Sequence, residues 1–252
     1  MAARSEVLEY LNHLLDPQAM KDYCPNGLQV EGTPNIEYMV TGVTANAALI
    51  AAAIEKGADS LLVHHGLFWQ GDSPTLVGFK QRRCKALLGH NLNLFAYHLP
   101  LDLHGVYGNN VQLAKKLGIR LERLVTLGGI PNLGAIGTLT PALSVEALQQ
   151  RLNEQLGRAP LHIAGQATRI ARIGWCSGAA QKFILDMLPF QVDAYLSGEV
   201  SLATVDMAQE SGLHYFAAGH HATERDGVKA LGQHLAQYFN IRCEFIDIHN
   251  PV

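Results

Sequence analysis

Along the first hundred residues the apolar positions switch period in a regular alternation. Residues 7, 8, 11, 14 and 15 of MAARSEVLEYLNHLL share the spacing of one helix face, interrupted by Glu6, Glu9 and His13. That pattern predicts an amphipathic N-terminal helix rather than a signal peptide. MVTGV at 39–43 has the apolar character of a buried strand, ANAALIAAAIEK at 45–56 is an alanine-rich helix closed by Gly57, and SLLV at 60–63 is the next strand. Strand, helix and strand within about 30 residues mark a βαβ unit of a mainly parallel sheet. QRRCKALLGH at 81–90 predicts a further helix, and LNLFAY at 92–97 a strand that delivers His98 and then Asp102.

The same alternation returns later in the chain. IARIGW at 170–175 predicts a strand, 177–188 a helix, DAYL at 193–196 a strand and 202–211 a helix; LHYFAAGH then repeats LNLFAYH with one extra residue before the histidine. Ser197-Gly198-Glu199 falls where His64-His65-Gly66 falls in the first copy, and His98-x-x-x-Asp102 is matched by His220-x-x-x-Glu224. The expected fold is α/β: a duplicated α/β unit with mixed, mainly parallel sheets and two intertwined halves around a metal site. Residues 1–128 form the first half, with His64, His65, His98 and Asp102; residues 129–252 form the linker and second half, with His220 and Glu224. Between the copies, LVTLGGIPNLGAIGTLTP at 124–141 is rich in Gly and Pro, as a linker or the short strands of a crossover would be. A helix over 144–156 follows, with Ser144 as its N-cap.

Composition narrows the classes. The chain has 252 residues, 48% apolar, enough to bury one large core or two medium ones and too apolar for disorder. Its 19 Lys and Arg against 22 Asp and Glu give a net charge of -3, without a basic run. This argues against a surface that tracks nucleic-acid phosphates. Cys24, Cys84, Cys176 and Cys243 make no C-x-x-C pair, which argues against a thiolate zinc site and reads as free thiols in a reducing compartment. No stretch reaches the roughly 18 apolar residues a membrane span requires, and the expected location is the cytoplasm.

The chemistry lies in the histidines. Each of VHHG, HLPLD and GHHATE has an ordinary structural reading by itself: satisfied strand-end histidines, a local hydrogen-bonded pair, a helix start near a favourable dipole. Their joint occurrence at equivalent places of a repeated unit points to metal. Histidine and carboxylate without sulfur suit first-row divalent ions, and the donor set does not separate Zn, Fe, Mn and Ni. Adjacent residues on a strand point to opposite sides, so His64 and His65 are placed to serve two ions rather than chelate one. A carboxylate such as Glu224 can offer one oxygen to each of two ions. The remaining histidines, at 13, 90, 104, 162, 214, 234 and 249, read as surface or supporting residues. Asn26-Gly27 is a good turn sequence, with a role in backbone geometry or in substrate contact.

The strings YCPNGLQVEG, VTGVTA, LLVHHGLFW, HLPLDLH, GNN, SGEVS, AAGHHATER and FIDIHNP, spread over almost the whole chain, resemble the YbgI-like dinuclear-metal family, the GTP cyclohydrolase 1 type 2 homologues. The resemblance implies two divalent metal ions per subunit, held by His64, His65, Asp102, His220 and Glu224, in subunits that assemble into a toroidal homohexamer. Beside those ligands, His98 and His221 would face substrate or support the metal shell, and with Glu224 they form the candidate catalytic group. The expected function is that of a metal-dependent hydrolase of the GTP cyclohydrolase type, acting on a nucleotide-like or other small-molecule substrate. Activated water would attack C8 of the guanine while His98 or His221 moves protons. No P-loop sequence occurs, so phosphates would be met by scattered groups such as Arg82, Arg83 or Arg225. The alternative is a toroidal metal-dependent binding or scaffold protein without turnover, and a third reading is metal storage or delivery. Neither a nucleic-acid nor a membrane partner is expected.

Overall fold

Strand Tyr38–Thr44 is buried along nearly its whole length, as a strand covered on both faces must be. A computed structural model describes residues 1–252 and divides them into two compact units. The first comprises Met1–Tyr107 with Gly227–His249, and the second Gly108–Asp226 with Asn250–Val252. A single cut at residue 128 does not coincide with this division. The segment 124–141, read as a linker or the short strands of a crossover, lies in a long hairpin of the second sheet, Arg120–Leu127 with Ile130–Leu143. Its turn is Gly128-Gly129, both at positive φ. At the other end, strand Arg242–Phe245 pairs in parallel with Tyr38–Thr44, which ties the C-terminal segment to the first unit.

The first unit is built on a five-stranded sheet in the order Arg242–Phe245, Tyr38–Thr44, Ser60–His65, Asn93–Ala96, Gly27–Val30. Three of its pairings are parallel and the last is antiparallel. Val40, Leu61, Val63 and Leu94 pack against helices Ala47–Glu55 and Gly78–Gly89. The alternate residues Met39, Leu62, Phe95 and Tyr97 pack against Val7, Leu11 and Leu15 of helix Arg4–Leu15 and against Val228, Leu231 and Leu235 of helix Arg225–Phe239. Side chains alternate faces along a strand, so one run of apolar residues feeds both layers.

The second unit has a six-stranded sheet in the order Arg120–Leu127, Ile130–Leu143, Ile170–Cys176, Ala194–Ser197, His214–Ala217, Leu161–Ile163. Its two central pairings are parallel and the outer three antiparallel. Helices Asn109–Leu117 and Val145–Leu156 cover one face through Leu113, Leu117, Leu148 and Leu152. Ser144 caps the latter helix, its Oγ accepting from Ala147 N at 3.2 Å. The α-helix expected over 177–188 is instead two 3-10 segments, Gln181–Phe183 and Leu185–Phe190. Gly178 takes φ +67° at its start and Pro189 lies inside the second 3-10 segment, and neither favours an uninterrupted α-helix.

Matching hydrogen bonds from backbone N–H groups, most of them to side-chain acceptors, align the two copies residue by residue. Asp59 Oδ2 accepts from Glu37 N and Tyr38 N at 2.8 and 2.9 Å, and Asp193 Oδ2 accepts from Ala171 N and Arg172 N at 2.8 Å each. In the next strand Asn93 Oδ1 accepts from Gly32 N, and His214 Nδ1 from Gly165 N. Tyr97 N donates to Val63 O as Ala218 N donates to Ser197 O. Counted this way, His64 corresponds to Gly198, His65 to Glu199 and His98 to Gly219. The sequence pairing of His64-His65-Gly66 with Ser197-Gly198-Glu199 is therefore one residue out of step. The same holds for His98 with His220, because the extra residue before the second histidine is absorbed at Gly219.

Candidate metal centre

In the first unit, strand Ser60–His65 ends on the two histidines. His64 is fully buried, and its Nδ1 lies 3.0 Å from the Tyr97 carbonyl oxygen. A carbonyl only accepts, so Nδ1 carries the proton. Nε2 lies 3.5 Å from Asp102 Oδ2, whose side chain is also buried. In the neutral ring this sets a nitrogen lone pair facing a carboxylate, which either a proton or a metal cation between them relieves. His65 Nδ1 meets Thr44 Oγ1 at 3.1 Å. The two rings do not diverge as strand alternation predicts: their centroids are 4.6 Å apart, since the strand ends at His65 and the strict alternation ends with it. Ring nitrogens of His64, His65 and His98 lie within 4.8 Å of one another, a group that could hold a metal ion.

His98 stands at the N-cap of the short helix Leu99–Asp102, where Pro100 occupies the first turn. The N–H groups that such a start leaves without intrahelical partners are taken by the loop before strand Gly27–Val30. His98 N donates to Asn26 Oδ1 at 2.7 Å and Leu99 N to Asp22 Oδ2 at 2.9 Å. Asp22 Oδ1 also holds His98 Nδ1 at 2.8 Å, which fixes the tautomer and leaves Nε2 as the basic nitrogen. Burial raises the Asp22 carboxyl, but hydrogen bonds from His98, Asn26 and Tyr23 outweigh it and hold the group below its ordinary value. Cys24, nearby, is pushed up to about 12 by burial and by the Asp22 and Asp102 carboxylates. In the metal-free protein it remains a thiol at neutral pH, and its Sγ lies within 4.8 Å of a carboxylate oxygen of Asp22 and a ring nitrogen of His98, a second group that could hold a metal ion. The Asn26 turn is thus part of the site's construction.

In the second unit, His220 opens the short helix His220–Thr223 and Glu224 closes it. His220 Nδ1 lies 2.7 Å from Glu199 Oε1 and its Nε2 3.1 Å from Glu224 Oε2. Burial opposes charge on this imidazole, yet the Glu224 and Glu199 carboxylates raise it to about 9. In the metal-free protein the imidazole is therefore protonated at neutral pH. Glu224 is buried against Gly178, where a Cβ would stand 2.1 Å from Glu224 Oε1 and 3.2 Å from His220 Nε2. Gly178 N in turn donates to Thr223 Oγ1 at 3.1 Å. His221 is buried in the same helix, with its backbone N on the Val252 carbonyl.

Of the sequence-derived residues, the first unit brings His64, His65, His98 and Asp102 together, and the second brings His220 and Glu224 together. Asp22 and Glu199 were missed. Asp22 precedes the Asn26-Gly27 turn, and only the fold carries it to His98. Glu199 was legible as a carboxylate in SGEVS, but the offset of one residue concealed that it is the counterpart of His65. Of the arginines considered for phosphate, Arg83 lies over the Phe79 ring, Arg225 donates to Leu156 O, and Arg82 is exposed on helix Gly78–Gly89. No helix of the chain is long and apolar enough to cross a membrane.

Comparison with known proteins places these features in a family. The profile of Duf34/NIF3 (NGG1p interacting factor 3) matches residues 2–251. Proteins named GTP cyclohydrolase 1 type 2 homolog from Pseudomonas aeruginosa and Vibrio cholerae are 49% and 50% identical over 250 and 245 residues. These alignments cover 99% and 96% of this chain, and 98% and 96% of the relatives. Among solved structures, the ybgI protein, described as of unknown function, superposes with a TM-score of 0.95 at 43% identity, covering 100% of both chains. TTHA1606 from Thermus thermophilus does so at 0.88 and 33%, also covering 100% of both.

Proposed function

The chain belongs to the Duf34/NIF3 family, and on that premise we propose that it is a dinuclear-metal hydrolase of a nucleotide-like substrate, in the manner the name GTP cyclohydrolase 1 type 2 homolog suggests for its relatives. His64, His65 and Asp102 of the first unit and His220 and Glu224 of the second are the proposed ligands of two divalent ions.

The observation that carries this reading is the 3.5 Å approach of His64 Nε2 to Asp102 Oδ2 with Nδ1 committed to a carbonyl. The donor set fits a first-row divalent ion: imidazoles oriented through their second nitrogen, buried carboxylates and no thiolate. When bound, such ions supply Lewis acidity and bring the ionisation of water toward neutral pH.

The chain's own residues supply the rest. His98, with Nδ1 held by Asp22, offers Nε2 to accept a proton from the attacking water and return it to the leaving nitrogen, the role of a general base and then acid. The Asp22 carboxylate stabilises the imidazolium formed between these steps without taking its proton. Glu199 orients His220 as Tyr97 O orients His64. For GTP, one water opens the imidazole ring at C8 to a formamide, and a second water cleaves the remaining formyl C–N bond to release formate and an amine. The test incubates metal-loaded protein with GTP and measures formate against a Glu224→Gln control. Formate above the control supports the assignment, and equal release in both removes it.

A further inference from the structure

Two aromatic side chains flank His98, and neither the ligand set nor the proton transfer uses them. Trp69, four residues beyond His65, stands edge-on to the His98 imidazole at a centroid distance of 5.1 Å and an interplanar angle of 81°. It also lies 5.8 Å from the ring of His65. Tyr23 meets His98 at 6.5 Å and 63° and is 53% exposed. The two loops are stitched together where Gln70 N donates to Tyr23 O at 2.6 Å. The indole is only partly buried, whereas Trp175 is fully buried and donates from Nε1 to Asn110 O. Folding therefore places one tryptophan of this chain in the core and leaves the other partly in water against the His98 ring.

We propose that Trp69 and Tyr23 form an aromatic clamp that takes a planar heteroaromatic ring by stacking, and that Trp69 sets the preference for such substrates. This rests on the reading of the site as a hydrolytic centre, and deepens it by naming which part of the substrate is gripped and by what. An aliphatic ligand would gain only contact area here. A planar ring with nitrogen or oxygen on its edge gains the face of the indole and, at the same time, a hydrogen bond with His98 Nε2. Stacking on an aromatic side chain tolerates different bases, because every base has a π-face. Purines and pterins are thus admitted alike, and their order of preference is left to edge contacts.

The chain has two tryptophans, and the buried one serves as an internal constant, so fluorescence reports on Trp69. Guanosine, adenosine and pterin are titrated into chelator-stripped and metal-loaded protein, with ribose 5-phosphate as the ringless control. Metal content is measured in the same samples. The expected result is saturable quenching by all three ring compounds, none by ribose 5-phosphate, and no change in signal for Trp69→Phe. By calorimetry, Trp69→Ala should weaken guanosine binding by about tenfold to hundredfold while Trp69→Phe retains most of it. Saturable quenching with no metal retained in the samples that had been loaded with metal would uphold the clamp and remove the metal reading. Full metal content with no quenching up to millimolar ring compound, or guanosine affinity unchanged in Trp69→Ala, would overturn the clamp and leave the metal reading standing.

Discussion

Asp22 Oδ1 holds His98 Nδ1 at 2.8 Å, while its other oxygen caps the helix that follows His98. One carboxylate thus fixes both the tautomer of a histidine and the turn that presents it. Asp22→Asn keeps the shape and loses the charge. It should lower turnover of GTP by about tenfold to hundredfold, with metal content unchanged, the scale found when a group orienting a site histidine is lost. Nitrogen-15 NMR of the histidines should show loss of the single Nδ1–H tautomer at His98. An unchanged His98 signal and unchanged turnover would show that the pair is not used.

The raised pKa of His220 has a sign that can be checked. Its ordinary value of 6.5 is lifted to about 9 by Glu224 and Glu199, against burial. In metal-free protein the pair therefore adds stability that is complete below pH 6.5, the unfolded value, and is lost as pH rises through 9. A metal ion at Nε2 displaces that proton. Calorimetric titration of Zn or Mn in buffers of different ionisation enthalpy should show proton release between those two values, and less of it in Glu199→Gln. Release that does not vary with pH would contradict this account of His220.

Much of the fold was legible because its strands are buried on both faces and read as continuous apolar runs, as MVTGV and SLLV do. The ligand-type residues were legible for a related reason: polar residues directly after such runs stand out. What was not legible depends on contacts between distant segments. Residues 124–141 read equally as a linker or as short strands because their glycines and prolines resemble loop composition, and it is sheet pairing with Ile170–Cys176 that makes them strand. The segment after Cys176 has helical composition but yields to Gly178, whose missing Cβ makes room for Glu224. The offset of one residue between the copies is visible in the hydrogen bonds of the folded chain, those of Asp59 and Asp193 among them.

Those two aspartates make the duplication testable. Each accepts two backbone N–H bonds at the start of the first strand of its parallel core. Asp59→Ala and Asp193→Ala should each cost about 1–3 kcal/mol of stability, the range for hydrogen bonds to a charged acceptor. Denaturant unfolding would measure both. A loss at one position with none at the other would show that the two copies do not share this device.

Gly178 is the position where the second unit's carboxylate is most exposed to a small change. Gly178→Ala places a Cβ 2.1 Å from Glu224 Oε1 at a backbone φ of +67°. The strain of a non-glycine residue there is of order 1–3 kcal/mol, and Glu224 must move. Reduced metal content in a variant that still unfolds cooperatively is the expected outcome. Wild-type metal content in that variant would show that Glu224 is not held to this position by its ligand role.

The most direct test of the central proposal is elemental analysis of dialysed, tag-free protein beside Asp102→Ala and Glu224→Ala. The account predicts about two first-row ions per wild-type chain, as a two-metal site requires, with loss in both variants. Near-zero metal in the wild type after reconstitution with Zn, Mn, Fe and Ni would contradict it and make the histidine groups structural.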